Sequence, residues 1–229
     1  MNRTIRRINT LSSRAFNNAK TIAIVGNGGI SPSDNEVINQ CDCVVRFNNY
    51  ATREKIEYTA ERFRCDTLFS TFDLHSTGAE PATTVIAIPF PFHAKDIPRK
   101  LNKWYPKSAP FVLNPYVNME LCDALGLDSL GDQHPIPSVG LTAVWHIYQL
   151  IKFQRNWNPK IHICGFNWYS DKDKLTIQGR KMDMRKAGHF NHHYREEMKW
   201  MIDNIMFHPN FSFSSECFEI LQAFKPHIK

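Results

Sequence analysis

Thr21-Ile-Ala-Ile-Val25 runs directly into Gly26-Asn27-Gly28-Gly29, and the reading of the fold starts from this junction. A β-branched run that ends on clustered glycines predicts a buried strand feeding a tight turn, where side chains would obstruct the backbone. Ser33 to Gln40 follows as a short helix, with Ser33 as N-cap and Glu36 completing a capping box, and Cys41 to Phe47 is a second strand. The alternation continues outward. Asp66 to Ser70, Thr84 to Pro89 and Phe111 to Leu113 read as strands, separated by helical stretches at Arg53 to Arg62, Lys95 to Tyr105 and Tyr116 to Leu125. Beyond Pro137, Ser138 caps an apolar helix through Phe153, and Lys160 to Gly165 returns as a strand. A polar loop then leads to a helix over His189 to Met206, and Phe211 to Phe213 and a last helix over Glu216 to Phe224 close the pattern. Such alternation predicts an α/β, Rossmann-like fold: a largely parallel sheet flanked by helices, in a single domain, with its ligand at the carboxyl ends of the strands.

The 229 residues contain no Gly/Ser/Pro-rich linker, which predicts one domain over residues 21–229 behind a basic leader over residues 1–20. A chain of this length buries a sufficient core without disulfides or structural metals. Its apolar runs are strand-sized, far short of the ~20 residues of a membrane helix. The leader carries Arg3, Arg6, Arg7, Arg14 and Lys20 with no acid and no continuous apolar segment, so it does not read as a secretory signal and the expected location is cytoplasmic. As a helix it would gather Ile5, Ile8, Leu11, Ala15 and Phe16 near one face, the pattern of a helix lying on an anionic membrane. A frayed basic terminus, or a helix packed on the domain, fits the same residues. The six cysteines lack zinc-knuckle spacing and sit mostly in apolar segments, as reduced buried thiols do. The net charge of +6 favours an anionic partner, and with no nucleic-acid module in the sequence, nucleic acid is not the expected one.

The glycine turn offers backbone N–H groups to a phosphate or a sugar, although a plain strand-to-helix connection has the same composition. A dinucleotide fingerprint fails twice: position 31 is Ser31 instead of glycine, and Arg46 stands where an acid belongs. A P-loop fails as well, since no Gly-Lys-Ser/Thr follows. Asn27 and Asn48 carry donors and acceptors suited to a base, ribose or phosphate, or to satisfying a turn. Ser138 and Gly140 at a helix start present N–H groups and the positive dipole end to an anion, or simply cap the helix. His189, His192 and His193 precede Glu196 and Glu197 at another helix start. Three readings fit them: a neutral imidazole acting as general base, a metal site in which Glu196 joins the histidines, and a solvated polar helix start.

These blocks also occur in a recognisable order. Val25-Gly26-Asn27-Gly28-Gly29 followed by Val44-Val45-Arg46-Phe47-Asn48 resembles the long sialylmotif of the sialyltransferase family, glycosyltransferase family 29. Pro137-Ser138-Val139-Gly140-Leu141 through Ile163-Cys164-Gly165-Phe166 is similar to the short motif, and His192 with Glu197 to the last motif. Together they span Thr21 to Glu197. The resemblance implies that Asn27, Gly28, Asn48, Ser138, Gly140 and Gly165 hold a cytidine monophosphate (CMP) sugar. It also implies that His192 is the general base, with adjacent His193 as the alternative, and that Glu197 orients the helix or the acceptor, with no metal and no cofactor beyond the sugar nucleotide. The family's intermediate His/Tyr motif has no counterpart at its usual distance, and Tyr169 and His189 are the residues able to replace its phosphate contact. The paired cysteines and membrane anchor of animal members are missing, which points to a soluble, bacterial-type member. The expected activity is inverting transfer of sialic acid to a hydroxyl of a glycan or glycolipid acceptor, such as a lipopolysaccharide or capsule precursor. A transferase of another CMP-activated acid such as Kdo, a non-catalytic nucleotide- or glycan-binding module, and a metal hydrolase are the alternatives.

Overall fold

The computed structural model describes residues 16, 19–47, 64–71, 82–88, 107–113, 116–127, 137–154, 156–166, 168, 175–177, 180–182 and 193–225. In chain order the elements are β1 (Thr21–Val25), α1 (Pro32–Gln40), β2 (Cys43–Phe47), β3 (Thr67–Ser70), β4 (Thr84–Ala87) and β5 (Ala109–Val112). Then come α2 (Tyr116–Ala124), α3 (Val139–Phe153), β6 (Lys160–Cys164), the short β7 (Leu175–Ile177) and β8 (Arg180–Met182), α4 (Tyr194–Asn204), β9 (Phe211–Phe213) and α5 (Ser215–Phe224). Seven strands form one sheet in the order β5-β4-β3-β2-β1-β6-β9, and every neighbouring pair is parallel. The α/β architecture is therefore the one the alternation predicts. From β1 the order grows one way through β5, then restarts on the other side with β6. This reversal between β1 and β6 is a topological switch point, the place where open α/β sheets generally take their ligands.

Both faces of the sheet are covered, and for this reason its central strands are continuous apolar runs. In β1, Ile22 and Ile24 pack into the larger core with α3 and α4, while Ala23 and Val25 meet Ile38 of α1 on the other face. The core reaches into the leader: Phe16 is buried against Trp157, with ring centroids 5.8 Å apart. Apart from Phe16, Ala19 and Lys20 the leader lies outside the described residues, as do the helical stretches expected at Arg53 to Arg62 and Lys95 to Tyr105. No helix among the described residues is long and apolar enough to cross a membrane.

Two local expectations are corrected. The N-cap of α1 is Ser31, not Ser33, and the capping box closes with Asp34, not Glu36. Pro32 decides this, because its fixed φ and missing N–H suit the first helical position. The stretch read as a polar loop contains the antiparallel pair β7 and β8, with Ile177 opposite Arg180. The helix expected from His189 begins, in the described part, at Tyr194.

Candidate functional site

The switch point is built by two glycine turns that interlock. Gly26 N–H donates to the Cys164 carbonyl at 2.8 Å, and Gly28 N–H donates to the Gly165 carbonyl at 2.9 Å. Gly165 has φ +69°, and a Cβ on Gly26 would lie 2.1 Å from the Gly165 oxygen. Two backbones approach so closely only where both residues lack a side chain. The turns after β1 and β6 are thus one structure, with Asn27 exposed at its edge.

Phe166, next along the chain, connects this structure to α3. A Cβ on Gly140 would come within 2.7 Å of the Phe166 ring, so the glycine admits the ring against the first turn of α3. From the other side, Cys217 Sγ donates to the Phe166 carbonyl at 3.2 Å and accepts its N–H at 3.3 Å. Phe47 at the end of β2 meets Phe166 edge-on at 5.8 Å, and Trp168 lies 5.8 Å from Phe166 at a tilt. Trp168 holds φ +43°, a conformation that costs a non-glycine residue about 1 kcal/mol or more and recurs at functional sites. Sequence reasoning gave Trp168 no role; its only signal was a tryptophan inside a polar stretch just after Gly165-Phe166.

The α3 start is joined in turn to α4. Ser138 N–H donates to Glu197 Oε1 at 2.7 Å, and Ser138 Oγ donates to Oε2 at 2.6 Å while accepting Leu141 N–H at 3.1 Å. Glu197 is buried, and burial pushes its carboxyl up to about 7 against the pull of the two Ser138 donors. Ser138 therefore meets a carboxylate of the chain itself. The Val139 and Gly140 N–H groups, at the first two helical positions, have no intrahelical acceptor. His193 is the N-cap residue of α4, makes no side-chain capping bond, and has Nδ1 3.9 Å from Glu196 Oε2.

Of the site residues expected from the sequence, Asn27, Gly28, Ser138, Gly140, Gly165, His193 and Glu197 lie among the described residues. Gly28 with Gly165, and Ser138 with Glu197, are in direct contact, and Gly140 reaches Gly165 through Phe166. Asn48, Tyr169, His189 and His192 lie outside the described residues, and with them most of the histidine metal site that the sequence allowed. Arg46 is buried and donates from Nε to the Arg64 carbonyl at 3.0 Å, a structural role that agrees with the failed dinucleotide fingerprint. The chain matches no protein-family model, no curated protein and no solved structure.

Proposed function

We propose that the chain is a CMP-sugar-dependent glycosyltransferase that moves sialic acid, with inversion, to a hydroxyl of a glycan or glycolipid acceptor. One observation carries this reading. Segments far apart in sequence that resemble three motifs of one transferase family are joined beside the switch point of a parallel sheet, through the Gly28–Gly165, Gly140–Phe166 and Ser138–Glu197 contacts. In this reading the glycine turn and the α3 start hold the nucleotide and its phosphate, and the aromatic group around Phe166 and Trp168 lines the base side. His192 takes the proton of the acceptor hydroxyl as its oxygen bonds to the anomeric carbon, and the bond from that carbon to the CMP phosphate breaks. Glu197 acts through Ser138, by fixing α4 against α3. The positive charge of the chain suits an anionic sugar nucleotide made and used at the cytoplasmic side of a membrane.

Binding of cytidine, uridine and guanosine nucleotides to the full chain tests the proposal. Cytidine monophosphate is expected to bind at least tenfold more tightly than the others, and equal binding or preference for another base overturns it. His192→Ala is expected to abolish transfer while CMP still binds. Transfer by that variant at the wild-type rate moves the base role to His193.

A further inference from the structure

Asp34, His162 and Cys164 converge under the first turn of α1, on the face of the sheet away from α3. His162 and Cys164 stand two apart on β6 and share the face that α1 covers, while Ile161 and Ile163 point into the larger core. One ligand atom from each residue, a carboxylate oxygen, an imidazole nitrogen and the thiol sulfur, lies within 4.8 Å of the other two. Asp34 and Cys164 are buried, and the His162 side chain is 13% exposed.

The hydrogen bonds around this group fix where its lone pairs point. Ser212 Oγ donates to the Ile161 carbonyl at 3.1 Å and therefore accepts from His162 Nδ1 at 3.2 Å. That assignment places the proton on Nδ1 and turns Nε2 toward Asp34 Oδ1, 3.1 Å away. The other Asp34 oxygen accepts the Ser31 hydroxyl at 2.7 Å and the Ser31 N–H at 3.2 Å. A nitrogen lone pair facing an anionic oxygen requires a positive charge between them, which is either a proton or a metal ion.

The donor set and its support favour a metal. Imidazole, thiolate and carboxylate together suit zinc, whereas magnesium and calcium take oxygen ligands. Zinc bonds of about 2.0 to 2.3 Å place tetrahedral ligand atoms roughly 3.3–3.6 Å apart, close to the separation of the Asp34 and His162 atoms. The Ser212 bond to Nδ1 is the outer contact that orients a metal-ligating histidine. We propose that Asp34 Oδ1, His162 Nε2 and Cys164 Sγ form a zinc-type site with water as fourth ligand, tying α1 to β6 behind the glycine turn. On binding, the thiol proton of Cys164 and any proton on Nε2 pass to solvent.

Titration of the full-length, metal-stripped chain with Co2+ tests the site. One equivalent is expected to bind with a thiolate-to-cobalt charge-transfer absorption that Zn2+ then displaces. The absorption is expected to persist in Cys122→Ser, to vanish in Cys164→Ser, and to require about 100-fold more cobalt, or more, in His162→Gln. Cys164 is fully buried and its serine variant can lose the fold, so His162→Gln carries the test independently. No thiolate absorption in the wild type, or one of unchanged affinity in His162→Gln, overturns the proposal and leaves a protonated His162–Asp34 pair.

Discussion

Two buried side chains set opposite responses to acid. Burial raises the Glu197 carboxyl from an ordinary 4.5 to about 7, so its contribution to stability is present below pH 4.5 and is lost as pH rises through 7. His146 in α3 is fully buried and meets Phe69 edge-on, and among the described residues neither ring nitrogen has a hydrogen-bond partner. Burial pushes its imidazole from 6.5 down to about 4, so its contribution is present above pH 6.5 and is lost as pH falls through 4. Each shift corresponds to about 3 kcal/mol, and between pH 4.5 and 6.5 the two slopes oppose each other. Substituting one side chain should expose the slope of the other. Urea unfolding across this range is expected to show His146→Leu gaining stability toward acid, relative to wild type, and Glu197→Gln losing it. A slope unchanged in both variants would contradict the assignment.

At the level of elements, the helix starts and turns are fixed by close contacts of small residues. The start of α1 is set by Pro32 and the Ser31–Asp34 box, and that box also presents Asp34 to His162. Gly26 and Gly140 are both crowded, but by different neighbours. A methyl group on Gly26 meets the Gly165 backbone, which the sheet holds on both sides, whereas one on Gly140 meets the Phe166 ring, which can turn. Gly140→Ala is therefore expected to destabilise by about 1–3 kcal/mol through repacking, and Gly26→Ala by more. Denaturant midpoints measure both, and the reverse order would show that the two turns are not interlocked. Gly140→Ala is also expected to weaken CMP binding, because the ring it displaces belongs to the proposed base side.

For the whole molecule, the sheet is a plate covered on both faces, with a single reversal of strand order between β1 and β6. The core does not stop at the expected boundary of residue 20, since Phe16 packs against Trp157 beside the larger core. Phe16→Ala is expected to cost about 3–5 kcal/mol in urea unfolding. A cost below 1 kcal/mol would mean that the leader is separable from the domain. Removal of residues 1–20 thus changes stability together with any membrane affinity, and a vesicle-binding test has to use substitutions of Arg3, Arg6 and Arg7 that keep Phe16.

The strands of the parallel sheet and the α/β class were legible in the chain, because a strand buried on both faces must be apolar throughout and must stop at a turn former. Thr21 to Gly29 alone carries that logic. Local chemistry placed the Ser138 cap correctly and missed the Ser31 cap only by underrating Pro32. No such local rule reveals which distant groups meet. Ser138 and Glu197 are 59 positions apart, and Asp34 and His162 are 128 apart. Their pairing follows from strand order, which decides what lies beside what, and from burial, which turns an ordinary glutamate into a group that titrates near neutrality.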